Sequence, residues 1–510
     1  MPHNKDQHFN PQFYLRNFAT DENGRSIHLY NIARDRSIFG ASIAGQCSRP
    51  YFYGKDGRSE SGLAMLEDAA APMFRRMITE RKLPPRHSPE HGLLGQFIAV
   101  QHGRTQARET EINEMADKFG KHVLRKHVEP DLAEYLDNVR ISITNAATWN
   151  VHVAAVRAPV LFDLEYQLLV APPGSFYMAG DNPVVFLNQH IDRGDQRHVR
   201  AVATATALGS RGFASRGLQI SFPISPQLAL FLYDRDIYKV GPVGRGAIDI
   251  SKEDVDHLNA LQYINSHNNV YFAGDGQAEY VKRLARSREH QRQAAFGKFE
   301  VFKPERHGDR WMQLIVIGTS DPTFVPHLAF SKVKRRVDKT PTPGVRDPVI
   351  VQIVKDFSDE MDRRGSRWSL VPFWYSILCR GPSGRSNEFF LLFWPRRVIR
   401  AGKGQLRPAS WIVRLADAFR RTRSIEQGRL WGKTRHCGRS PRATVTGRHE
   451  PRGLPEPKGS FGGKTGRFVP RRVMTPSGSG AVKLIGFHRI LGCVLNHNHQ
   501  MTMGRGRHPR

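Results

Sequence analysis

Apolar positions recur at helical spacing over the first third of the chain and alternate at period two through the middle. Over residues 61–82, Leu63, Leu66, Ala70, Met73, Phe74 and Met77 fall on one stripe, which predicts a helix. A second helix is predicted over 89–120, with Leu93, Phe97 and Val100 on its apolar face and Gln101, His102 and Arg104 nearby. Further helix is predicted across 128–140 and 144–157. The pattern then turns to strands: Phe162 to Val170, Ser175 to Met178 and Val184 to Leu187, the last two separated by the turn signal Asp181-Asn182-Pro183. Gln219 to Pro223 and Leu228 to Tyr233 flank a proline-containing bend. Residues 252–264 return to helix and Asn269 to Ala273 to a short strand. Helices first and strands later predict an α+β fold, a helical N-terminal half followed by a mainly antiparallel sheet region.

The N-terminal segment is well punctuated. Asn10 suits a helix N-cap and Pro11 the first helical position, so a short helix is predicted from Pro11, with Phe9 and Tyr14 as a hydrophobic staple. Gln12 and Arg16 then stand four residues apart on one face, with His8 just ahead of them. Asn23-Gly24 turns the chain into a strand over Ser26 to Asn31.

Charge divides the chain in two. The net charge is +30, yet residues 361–510 hold 31 basic and 6 acidic residues, whereas residues 1–360 hold 46 and 41. Three segments follow: 1–330 as an α+β domain, 331–364 as a basic, proline-rich linker (Lys332 to Pro343) with a short amphipathic helix, and 365–510 as a basic tail of low order. Residues 437–482 are dense in Arg, Gly, Pro and Ser with no sustained period, a composition that cannot bury enough apolar surface to offset chain entropy. The tail reads as a disordered nucleic-acid-binding arm, as a small domain, or as translated sequence never selected as protein. Its 26 Arg against 5 Lys favour the last. Nucleic acid is a candidate partner through this tail. No run of about 18 apolar residues predicts a membrane span, and the polar N-terminus has no signal-peptide core. Cys47 is the only cysteine in the first 360 residues, which fits a reduced, cytoplasmic setting.

The order of several blocks carries a resemblance. His8-Phe9-x-Pro11-Gln12-x-Tyr14-Leu15-Arg16-x-Phe18 opens it, followed by Cys47 with Tyr51-Phe52-Tyr53, a helix bearing Glu67, and Gln101-x-x-Arg104. Asp181-Asn182-Pro183-Val184, Phe222-Pro223-Ile224-Ser225-Pro226 and the helix–strand unit Asn259 to Ala273 complete the set. Together they resemble the domain-of-unknown-function 4238 family over about residues 3–330. One departure is Gly180, where a Ser or Thr is more typical. The resemblance implies a mostly bacterial family and carries over no catalytic residue, substrate or cofactor.

The candidate chemistry lies in the same blocks. His8, Gln12 and Arg16, joined by Asp181 and Asn182, hold the parts of a phosphoryl- or acyl-type hydrolytic site: a proton shuttle, an oxyanion fork and a carboxylate that orients the histidine or binds a metal. The alternative is structural, with Arg16 and Asp181 as a buried ion pair, His8 completing the helix cap and Asp181 in a local turn. Glu67 with Gln101 and Arg104 is either a general base or metal ligand beside substrate-binding groups, or an interhelical salt bridge. Cys47 is either a nucleophile with His8 as base or a small core residue. In the tail, His436, Cys437, His488, Cys493, His497 and His499 lack zinc spacing, and Gly459 to Thr465 falls one residue short of a phosphate-binding loop. Two functions follow: a hydrolase acting on a phosphate-containing or nucleic-acid substrate, with catalytic His8, Arg16 and Asp181, or a non-catalytic binding module in which these residues are structural.

Overall fold

A computed structural model describes residues 5–352 apart from short internal stretches, the longest being 126–133 and 200–209. The tail motifs, most of the predicted helix over 347–364 and the first part of the predicted helix over 128–140 lie outside the described residues; the rest of the latter holds a 3₁₀ helix over Glu134–Asn138. Eight α-helices are described: α1 (Gln12–Arg16), α2 (Arg58–Glu80), α3 (Pro89–Gly103), α4 (Gln106–Leu124), α5 (Ala146–Arg157), α6 (Gln189–Asp192), α7 (Lys252–Asn265) and α8 (Ala278–Arg288). They flank two main sheets, so the fold is α+β.

The five-stranded sheet runs in the order Ala247–Asp249, Glu165–Val170, Leu228–Tyr233, Gln219–Ser225 and Val185–Leu187. Only the first pair is parallel. Its central strands are buried on both faces, and alternation assigns each residue to a face. Ile220, Phe222, Leu228, Leu230 and Leu232 enter the larger core, where Phe222 meets Phe74 of α2 and Phe97 of α3. Ala229, Phe231 and Tyr233 face the other way, toward Val255, Leu258 and Leu261 of α7. Pro223 is tolerated inside this sheet because the register shifts between Pro223 and Ser225, a bulge that frees a proline from the hydrogen-bond ladder. Ser225 Oγ then accepts from the amide of Leu228 (3.2 Å) and closes the bend.

The four-stranded antiparallel sheet runs Arg36–Ser42, Ser26–Asn31, Asn269–Phe272, Ala179–Gly180. The sequence places a strand at Ser175 to Met178, whereas the ladder is confined to Ala179–Gly180, just past it. The amide of Met178 is taken by the Asn259 side chain (3.0 Å) and that of Tyr177 by the carbonyl of Pro226 (2.8 Å). The predicted helix over 89–120 is two helices. Arg104 keeps helical angles, but Thr105 is extended and starts α4. Gly103 sits at this break because a Cβ there would stand 2.7 Å from Ala154 Cβ and 2.9 Å from the Asn150 carbonyl of α5.

Past residue 330 the chain stays attached to this body. Ser331–Val333 pairs with Tyr238–Val240, and Arg346 enters the interior. Among the described residues no helix is long and apolar enough to cross a membrane.

Candidate functional site

Asp6–His8 pairs antiparallel with Ser48–Pro50, and strand alternation sends successive side chains apart. Gln7 points inward, holding Gly54 and Tyr53 through its amide. His8 is only partly buried. Its Nε2 lies 3.1 Å from the Ala44 carbonyl and 3.4 Å from Gln12 Nε2. One nitrogen serves one of these at a time: protonated it donates to Ala44, unprotonated it accepts from Gln12. Gln12 Oε1 in turn accepts from Arg16 Nη2 at 3.1 Å. The one-turn spacing in α1 thus makes a short relay, His8–Gln12–Arg16, ending on an exposed guanidinium. Asn10 does not cap this helix; Pro11 holds the cap position, and Asn10 turns into the interior.

Beneath the relay lies Arg104, 1% exposed. Its Nη1 donates to Glu67 Oε1 (2.7 Å), its Nη2 to the carbonyl of His8 (2.6 Å) and its Nε to the Tyr53 hydroxyl (3.2 Å). Glu67 and Arg104 therefore form the interhelical salt bridge that was one of the two expectations, and the same guanidinium fixes the backbone of His8. Glu60 stands two turns before Glu67 on α2. Its Oε2 is buried with no hydrogen-bond partner. Burial pushes its carboxyl from the ordinary 4.5 up to about 7, against the pull of Arg104 and with the push of Glu67. Burial also lowers the His8 ring, opposed by the Ala44 carbonyl and Glu67. Near pH 7 the Glu60 carboxyl thus still carries its proton for part of the population, while burial lowers the proton affinity of the His8 ring.

Glu60 yields a stability test. Its folded-state value lies above its ordinary one, so its contribution is fully present below about pH 4.5 and is lost as pH rises through about 7. A Glu60→Gln variant, uncharged throughout, should match the wild type near pH 4 and exceed it by about 1–2 kcal/mol at pH 8, after discounting for partial solvent screening. Urea midpoints at the two pH values check this; a constant difference contradicts it.

Asp181 and Asn182 belong to a separate, sealed network. The Asp181 oxygens accept from the backbone amides of His267 (2.6 Å), Asn268 (2.6 Å) and Asn269 (3.1 Å). Burial raises this carboxyl, with the three amides pulling the other way. Its partners are distant in sequence, so this is no local turn, and Arg16 is no part of it. Asn182 Oδ1 accepts from Thr105 Oγ1 (2.9 Å), while its amide group donates to the carbonyl of Asn265 (3.1 Å). Gln101, 1% exposed, donates to Asn10 Oδ1 (2.5 Å) and to the carbonyl of Phe9 (3.2 Å). Gly180 is explained here too. A Cβ would stand 2.2 Å from Ser266 Oγ, so the hydroxyl at this spot comes from Ser266. Cys47 is buried, 3.2 Å from the Tyr271 hydroxyl, and its thiol is pushed upward by burial, which suits a core residue. Among the described residues no three His, Cys, Asp or Glu side chains are grouped to hold a metal ion, so Glu67 stands with Arg104.

The structure thus joins His8, Gln12 and Arg16 to Glu67 and Arg104, and sets Asp181, Asn182 and Gln101 apart in the core. Glu60 and Tyr53 complete the first group. Tyr53 stands in the aromatic block quoted above, and Glu60 has one sequence signal, its seven-residue spacing from Glu67 on the same helix face.

Fold and site define an α+β domain whose N-terminal relay rests on a buried arginine. The chain belongs to the DUF4238 family of proteins of unknown function, whose model matches residues 6–276. No curated protein and no solved structure matches it.

Proposed function

We propose that the chain is a hydrolase acting on a phosphate-containing or nucleic-acid substrate, with its acid–base centre at His8 and Glu60. The supporting observation is that one buried guanidinium, Arg104, holds the His8 carbonyl and acts on the Glu60 carboxyl, while burial lowers the proton affinity of the His8 ring and raises that of Glu60; groups whose environments push their proton affinities apart are suited to opposite roles. His8 takes a proton from water as the oxygen attacks phosphorus. Glu60 gives its proton to the leaving oxygen as the P–O bond breaks. Arg16, held by Gln12, meets the phosphoryl oxygens, and Arg104 offsets charge from below. Glu67 holds Arg104 in place. Asp181 anchors the loop at 267–269. The setting is cytoplasmic, in line with the unpaired Cys47.

A non-catalytic binding module is the competing reading, favoured by a specific observation: Arg104, Asp181 and Asn182 all spend their polar atoms on structural hydrogen bonds. A phosphodiesterase screen with and without divalent metals, comparing wild type with His8→Ala, separates the two. The hydrolase reading predicts a loss of about 10²–10⁴-fold in rate. Equal background rates in both proteins would sink the hydrolase reading.

A further inference from the structure

The outer strand of the four-stranded sheet, Arg36–Ser42, carries the most exposed large apolar side chain among the described residues, Phe39, at 55%. A β-bulge aims it outward. The strand pairs with Ser26–Asn31 through Ile38 and Leu29 and again through Ala41 and Ile27, so Phe39 and Gly40 together stand opposite His28. Gly40 takes the bend at φ +62°, and its amide donates to His28 Nδ1 (3.1 Å). That tautomer leaves Nε2–H to donate to Asp275 (2.5 Å), so both ring nitrogens are committed. Phe39 stands at 72° to this fixed imidazole, centroids 5.1 Å apart, and Phe272 backs the imidazole from the next strand at 5.6 Å. The surface ring therefore rests on a supported neighbour.

α8 lies along the same face. Its Ala278, Val281 and Ala285 pack with Tyr30 and Phe272. Asp275, just before the helix, reaches His28, while Arg286 in its last turn pairs with Asp35 (3.3 Å) at the far end of the strand pair. Helix and edge strand thus run side by side, and both present cations. Arg34, Arg36 and Arg283 are exposed and make no ion pair among the described residues, and Lys282 acts on Asp35 together with Arg286. Residues 31–36 and 275–288 hold six basic and three acidic residues, a net of +3 where the whole of residues 1–360 has 46 basic and 41 acidic. Two of the three carboxylates, Asp35 and Asp275, are already engaged by Arg286 and His28.

The apolar side of α8 is spent on the sheet, which leaves it nothing to insert into a bilayer. The bulge and its flanking arginines discourage a further β-strand from joining this edge. An exposed planar ring among unpaired arginines suits a chain of stackable bases joined by phosphates. We propose that this face binds single-stranded nucleic acid, one base stacking on Phe39 and the neighbouring phosphates meeting Arg36, Lys282 and Arg283. The surface shares no residue with the His8 cluster, so binding here does not depend on the hydrolase reading.

Photochemical cross-linking of the full chain to a short oligothymidylate carrying one 5-iodouracil, at limiting oligonucleotide and with the cross-linked residues mapped by mass spectrometry, tests the proposal site by site. The expected result is a saturable cross-link at Phe39 that falls about tenfold in an Arg36→Gln, Arg283→Gln double variant, while any cross-links in residues 361–510 keep their yield. An abasic strand of the same length should compete for the Phe39 position about tenfold more weakly than oligothymidylate, for want of the stacked base. No cross-link at Phe39, a Phe39 yield unchanged in the double variant, or equal competition by the abasic strand would each overturn the proposal.

Discussion

An Arg346→Met variant loses about 3–5 kcal/mol of stability, the cost of leaving a buried charge without its partner. Arg346 is 4% exposed at its side chain and grips Asp163 with two nitrogens, at 2.9 and 3.0 Å. Its remaining donors reach the carbonyls of Val160, Phe213 and Ser215, each at 2.8 Å. Removing the guanidinium strands a carboxylate that is 15% exposed and three buried carbonyls together. Methionine fills the volume and supplies none of the donors. Urea denaturation reads the loss directly. We propose on this basis that the folded unit runs past Arg346, so a chain ending at 345 should share the variant's instability and one ending at 352 should not. Equal midpoints for the two truncations would contradict this.

Arg104→Met should cost a similar amount, about 3–5 kcal/mol, for a related reason. Glu67 would lose its cation, and the His8 carbonyl and Tyr53 hydroxyl would lose their donor. Arg104→Lys should recover little, because one ammonium cannot reach three acceptors spread around a planar fork. Beyond stability, the variant should free the His8 backbone. The histidine ring signals, followed by NMR against pH, should then move toward the ordinary range for His8 as burial is relieved. A variant as stable as wild type would show that Arg104 does not hold the two segments together.

The parts of the fold that were legible are those where one periodicity governs a whole element. The stripe from Leu63 to Met77 and the alternation in Gln219–Ser225 and Leu228–Tyr233 each show a burial face without tertiary information. The break between α3 and α4 was not legible, because Arg104 and Thr105 are both acceptable in a helix. What ends α3 is the approach of α5 to Gly103 and the burial of the Arg104 side chain. Asn10 shows a similar ambiguity: an asparagine before proline suits a cap, yet Gln101 and the carbonyl of Gly180 compete for it from far away in sequence. Arg346 was hidden by its setting in a proline-rich basic stretch, where composition suggests a linker.

The candidate site divides the same way. His8, Gln12 and Arg16 come together because one helical turn joins Gln12 to Arg16 and the strand ahead of α1 delivers the His8 ring to Gln12. Asp181 and Asn182 were placed with them on residue chemistry alone, and the structure gives their oxygens to the loop after α7 and to Thr105. Glu60 was missed because a carboxylate on an amphipathic helix reads as solvated, and only its depth beside Arg104 and Glu67 gives it an unusual proton affinity.

The most direct test of the account is the pH dependence of phosphodiester hydrolysis by the full chain, wild type against Glu60→Gln. The account predicts a bell-shaped profile whose alkaline limb lies near 7, as Glu60 loses its proton, with that limb and most of the rate absent in the variant. Rates that are indistinguishable between the two proteins across pH 5–9 would contradict it.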